Sequence, residues 1–176
     1  MKKEKKIFPY SDIDKVYAYI FTESSSVSLP EGCLDLITYV ISELFANVKE
    51  HSSAKIIRTE FALNKSLFYF SVADDGIGIR NSFLKNGLFA KDDRASVQLA
   101  IGGMSAKKKN ERAFGLFSTQ RLVEHTNGKM RIETGNVKAV FIKNNTTFQN
   151  MKKAGKGVRV SVEIPLKKIN VYEIIY

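Results

Sequence analysis

Leu67-Phe-Tyr-Phe-Ser-Val-Ala-Asp74-Asp75-Gly76-Ile77-Gly78-Ile79 is the stretch on which the reading of this chain turns. The apolar, aromatic run Leu67 to Ala73 has the composition of a buried strand, and it stops abruptly on two aspartates and two alternate glycines. Asp74 therefore emerges at the edge of a core, while Gly76 and Gly78 let another backbone or a ligand come close. The plainer reading is a strand-ending turn, which Asp-Gly makes readily. A calcium loop is excluded, because the alternating acidic ligands and distal glutamate are missing. A dinucleotide fingerprint is excluded as well, since no G-x-G-x-x-G opens a helix here.

Working upstream, Ile57, Thr59, Phe61 and Leu63 alternate with Arg58 and Glu60, and Asn64-Lys65 supplies a turn, so the two runs form a hairpin. Before it, Pro30 and Glu31 suit the first turn of a helix running to about His51, with Leu34, Ile37, Ile41, Leu44 and Val48 on one apolar stripe. Glu43, Asn47 and His51 follow one another at i, i+4 and i+8, a polar line bordering that stripe. An exposed helix face would carry the same residues, so the line alone is weak. Ser11 with Asp14 resembles a capping box for a short helix over 12–22.

Downstream, residues 80–111 read as a long loop of the lid kind, holding one helical segment from Asp93 to Ile101 closed by Gly102-Gly103. Residues 115–126 return to helix and end at Asn127-Gly128. Strand-like runs follow at Lys129 to Glu133, Ala139 to Lys143 and Val158 to Ile164. The pattern predicts a two-layer α/β sandwich with helices packed on one face of a mixed, mostly antiparallel sheet.

Composition sets the outer limits. The chain has 176 residues, 28 Lys+Arg against 18 Asp+Glu, and 44% hydrophobic residues, which is one globular domain with a real core. No apolar run approaches the roughly 18 residues of a membrane span, so no membrane insertion is expected. The basic N-terminus lacks the apolar segment of a secretory signal, and the single cysteine, Cys33, cannot pair internally; a cytoplasmic location follows as the expectation. A formal charge of +10 points toward phosphates, nucleic acid or an acidic protein. Its lysines cluster at Lys2 to Lys6, Lys107 to Lys109 with Arg112, and Lys152 to Lys156 with Arg159.

Taken in order, Glu43-Leu-Phe-Ala-Asn47-Val-Lys-Glu-His51, Asp74-Asp-Gly-Ile-Gly78 and Phe114-Gly115-Leu116 resemble the boxes of the Bergerat-fold (GHKL) ATP-binding family. That family holds gyrase B, large heat-shock chaperones, MutL-type repair proteins, histidine kinases and anti-sigma-factor serine kinases. The resemblance implies an ATP-binding domain over 30–165 with a lid at 80–111, preceded by a basic tail and short helix (1–29) and followed by an apolar tail (166–176). It implies Glu43 as the catalytic carboxylate and Asn47 as the Mg²⁺ ligand. Asp74 would accept the adenine amino hydrogen, with Gly76 and Gly78 clearing room for the ring. Arg112, Phe114, Gly115 and Leu116 would meet the phosphates at a helix start, with Lys107 and its neighbours Lys108 and Lys109 in the lid. The cofactors implied are ATP and Mg²⁺.

Two positions depart from the family pattern. Ala113 stands where the first glycine of the phosphate box belongs, and Val158 after Gly157 lacks the threonine hydroxyl of the late strand box. Losing one such bond costs about 0.5–1.5 kcal/mol, which weakens binding without abolishing it. A phosphoacceptor histidine on a preceding hairpin is missing: only His51 and His125 occur. Size and box wording are closest to the stand-alone, anti-sigma-factor serine kinase type. The implied partners are a regulatory protein and a second copy of the chain. Alternatives are a non-catalytic, nucleotide-dependent binding module and, less favoured, a nucleic-acid-associated ATPase.

Overall fold

The computed structural model describes residues 3–104 and 115–175, so Lys107, Lys108, Lys109, Arg112, Ala113 and Phe114 lie outside the described residues. The strands are β1 (Glu4–Pro9), β2 (Ile56–Leu63), β3 (Leu67–Asp74), β4 (Lys129–Ile142) and β5 (Asn145–Pro165). The helices are α1 (Ile13–Ser25), α2 (Cys33–Asn47), α3 (Gly78–Lys85), α4 (Asp93–Ile101), α5 (Gly115–His125) and the short α6 (Tyr172–Ile175). The strands form a single sheet in the order β1-β2-β3-β5-β4. Every pairing is antiparallel, so among the described residues the sheet is not mixed.

The core lies between the helices and one sheet face. Phe68, Phe70 and Val72 of β3, Met130 and Ile132 of β4, and Val160, Val162 and Ile164 of β5 are buried there, at the alternate positions that period-2 geometry requires. From α2 come Leu36, Ile37, Val40, Ile41, Leu44 and Phe45. Phe45 meets Phe70 edge to face, ring centroids 5.7 Å apart, which fixes the helix over the central strand. The buried stripe thus centres on Leu36 and Val40, while Leu34, expected within it, is only half-buried.

Several boundaries differ from the sequence reading. Helix α2 starts at Cys33 because Gly32 takes φ +76 and packs against the Ile169 backbone, which leaves Pro30 and Glu31 outside the first turn. Asp12 precedes α1 without a side-chain capping bond and pairs with Lys15 at 2.9 Å, so the Ser11–Asp14 capping box does not form. Glu4–Pro9, read as part of a basic tail, is the edge strand β1, anchored by Phe8 opposite Ile57. The stretch 80–111, read as a loop with one helical segment at Asp93 to Ile101, also takes in most of α3, a two-turn helix beginning on Gly78.

The three late strand-like runs are two long strands. Backbone pairing continues from Val137↔Asn150 to Ile142↔Asn145, where β4 keeps its buried alternation but the facing part of β5 is mostly polar and exposed. The ladder is irregular around Gly135, where Asn136 N–H donates to Asp93 of α4 (3.0 Å). Leu166, Val171, Ile174 and Ile175 of the C-terminal segment are buried in the domain's own core. Among the described residues no helix is long and apolar enough to cross a membrane.

Candidate functional site

The site assembles where three chain segments end against one another. Asn47 is the last residue of α2, and the next turn, Val48–Ser52, widens to π geometry. Such turns cost hydrogen-bond quality and occur often at functional sites. Asn47 Nδ2 donates to the Glu43 carbonyl (2.9 Å), which orients the amide and leaves Oδ1 as its outward acceptor. Gly115, the first residue of α5, lies against that amide; a Cβ there would sit 2.7 Å from Asn47 Nδ2.

The end of the π turn holds the glycine loop. Ile77 N–H donates to the Ser52 carbonyl (2.9 Å). A Cβ on Gly76 would come within 2.7 Å of the Ser52 carbonyl carbon and 2.8 Å of Asp74 Oδ1, so the close approach requires glycine. Gly78 takes φ +81 and opens α3.

The two neighbouring aspartates have opposite environments. Asp74 is 6% exposed; burial pushes its carboxyl above the usual range, against the Gly76 and Val158 N–H groups, which pull it down. The Gly76 bond to Asp74 Oδ1 measures 2.8 Å. Asp75 turns outward and accepts from Ile56 N–H (3.0 Å) and Lys55 N–H (2.8 Å), which hold its carboxyl below the usual range. Asp75 is thus a structural staple, and Asp74 is the carboxylate presented to the cleft.

That cleft measures about 720 Å³ with its open mouth included. Asn47, His51, Asp74 and Gly78 line it together with Leu116 of α5, and its walls are largely apolar: Ile79, Phe83, Met104, Val158 and Val160. Apolar walls with a few convergent polar groups, at this size, are what a small organic ligand needs. A planar base fits between such walls, with Asp74 to accept its amino hydrogens.

Three of the expected site residues stand just behind this surface. Gly76 lies under Asp74, Gly115 lies beside Asn47, and Glu43 sits one helical turn before Asn47, none of them lining the cleft. Glu43 is half-buried, and its carboxyl is raised by burial and by the charge of Glu50. Among the described residues no group of three His, Cys, Asp or Glu could hold a metal alone. Magnesium fits nonetheless, because it keeps waters and phosphate oxygens and needs only one or two protein oxygens, which Asn47 Oδ1 can supply.

One residue escaped the sequence reading. Thr134 of β4 is 2% exposed, donates to the Gly157 carbonyl (3.2 Å) and accepts from Ile79 N–H (3.3 Å). It ties β4, β5 and the start of α3 around the glycine loop. The available signal was parity: Met130, Ile132 and Thr134 share a buried face, so a hydroxyl there must be bonded. Thr134→Val should cost about 1–3 kcal/mol in urea denaturation, since a buried donor and acceptor lose their partner.

With the geometry in place, comparison with known proteins bears on it directly. Residues 33–168 match the family of histidine kinase-, DNA gyrase B-, and HSP90-like ATPases. The chain belongs to that family, and its domain is a GHKL-type ATP-binding module. No curated protein matches the chain.

Proposed function

We propose that the chain binds Mg-ATP in this cleft and acts as a regulatory protein of the anti-sigma-factor serine kinase type, transferring phosphate to a protein partner or switching its binding to one. The observation that carries the reading is convergence: Asn47, Asp74, Gly78 and Leu116, from three separate motifs, line one cleft. In this reading Asp74 receives the adenine amino group, and Gly76 and Gly78 keep the ring's edge clear. Asn47 Oδ1 holds Mg²⁺, whose role when bound is to neutralise phosphate charge. Gly115 and Leu116 present the α5 N-terminus to the phosphates; Lys107, Arg112 and Phe114, outside the described residues, are the further phosphate contacts that the family resemblance implies.

In the transferring form Glu43 takes the proton from the partner's hydroxyl as that oxygen bonds the terminal phosphorus and ADP leaves. A carboxyl raised by burial suits a base working near neutral pH. A second reading, a nucleotide-dependent binding module without chemistry, is favoured by Glu43 standing outside the cleft lining. Release or transfer of label from radiolabelled ATP separates the two. The transferring form predicts that Glu43→Gln lowers turnover about 10²–10⁴-fold while ATP binding persists. Tight binding with no turnover even in the wild type assigns the switch.

A further inference from the structure

The helices cover one face of the sheet, and the other face carries a second hollow that shares no lining residue with the cleft. Register explains it. Across β3, β5 and β4, one row reads Ser71, Ser161, Arg131 and the next reads Tyr69, Glu163, Lys129. The small Ser161 side chain among long ones leaves a depression of about 400 Å³, mouth included, which Lys3 also lines. The Lys3 ammonium stands 3.4 Å from the centroid of the Tyr69 ring.

The lining is polar and electrostatically unbalanced. Lys3, Lys129 and Arg131 line it with one carboxylate, Glu163, which is itself exposed; the neighbouring Glu60 accepts from Tyr69 and is paired with Lys5 (3.6 Å). Two positive charges are left in excess. Arg131 Nε is buried and has no hydrogen-bond partner among the described residues. A buried N–H without an acceptor is costly, and the guanidinium's planar fork matches a tetrahedral anion bidentately. The Ser161 hydroxyl adds a neutral donor, while the Tyr69 hydroxyl is already donated to Glu60 (3.3 Å). A single carboxylate would balance only half of the excess charge, whereas a dianionic phosphate balances all of it and offers enough oxygens for every donor.

We propose that this hollow is a second anion site, separate from the nucleotide cleft, which takes a dianionic phosphate group, free or as a small monoester. Titration of the full chain with inorganic phosphate, followed by amide NMR shifts, tests it, with chloride at matched ionic strength as control. The expected result is saturable shifts centred on Tyr69, Ser161 and Arg131. Arg131→Gln should weaken binding at least about tenfold, the usual cost of a lost charge-assisted pair. Asp74→Asn should leave it unchanged, which separates this site from the cleft. Lys129→Gln is the second variant and should weaken binding severalfold. Parallel titration with phosphoserine distinguishes the sources, because tighter binding than inorganic phosphate assigns a monoester and weaker binding assigns the free ion. Shifts confined to Asn47, Asp74 and Gly78, equal shifts with chloride, or unchanged affinity in folded Arg131→Gln and Lys129→Gln would each overturn the proposal.

Discussion

Asp74→Asn should melt at a higher temperature than the wild type at neutral pH, yet gain far less from added Mg-ATP. Both effects come from the same burial. A carboxylate shut away from water at the end of β3 is disfavoured in the folded protein, and its pKa is raised accordingly. In acid, Asp74 is protonated in both folded and unfolded chains and carries no penalty. As pH rises, the unfolded chain ionises first, so folded stability falls until the raised pKa is passed. The asparagine variant escapes that loss while keeping an oxygen for the Gly76 N–H. Its advantage should therefore be present at pH 7 and vanish below the ordinary carboxylate range. The ligand-induced rise behaves oppositely, because a charged acceptor is worth about 1.5–3 kcal/mol, or roughly ten- to hundredfold in affinity. Thermal melts with and without Mg-ATP, at pH 7 and in acid, read both. A variant less stable than wild type that keeps the full ligand shift would make Asp74 a structural residue.

Gly157→Ala is expected to be the most damaging small substitution near the site. Gly157 takes φ +73, and a Cβ there would lie 2.6 Å from Asp74 Oδ1 and closer still to the Asp74 carbonyl oxygen. The left-handed backbone alone costs about 1–2 kcal/mol. Pushing β5 off the end of β3 adds about 1–3 kcal/mol of overpacking, and it displaces the carboxylate that receives the base. Gly87→Ala is the matched control: its φ is +76, but no atom lies within 4 Å of the added methyl. Urea denaturation should show a loss of about 2–5 kcal/mol at position 157 and only the backbone's about 1–2 kcal/mol at position 87. Equal, small losses at both would mean that the contact with Asp74 is not tight.

The parts legible in the sequence were those where side-chain period and backbone agree. The α2 stripe, the β2–β3 hairpin and the Asp74–Gly78 turn carry their signal in consecutive residues, and the cleft followed because its polar groups sit at the ends of those elements. Strand β1 was not legible: Phe8 is its one buried side chain, and its lysines read as a tail, although pairing with β2 makes it a strand. The first half of β5 is rich in Asn, Thr and Lys and is held by its backbone ladder to β4, which leaves little trace in composition. Helix α3 opens on a left-handed glycine and runs only two turns, too short for periodicity to register. Thr134 is announced only by its parity with Met130 and Ile132, and the basic hollow depends on register between distant segments, so no local pattern announces it. Lys3, just before β1, and Lys129, the first residue of β4, line one hollow although they are far apart in the sequence.

The central claim is that the cleft bounded by Asn47, Asp74 and Leu116 holds a nucleotide. Calorimetric titration of the wild-type chain with Mg-ATP tests it most directly. Saturable binding of one nucleotide per chain is expected, competed by ADP and weakened at least about tenfold by Asp74→Asn. A wild type that gives no binding heat and no competition by ADP would contradict it.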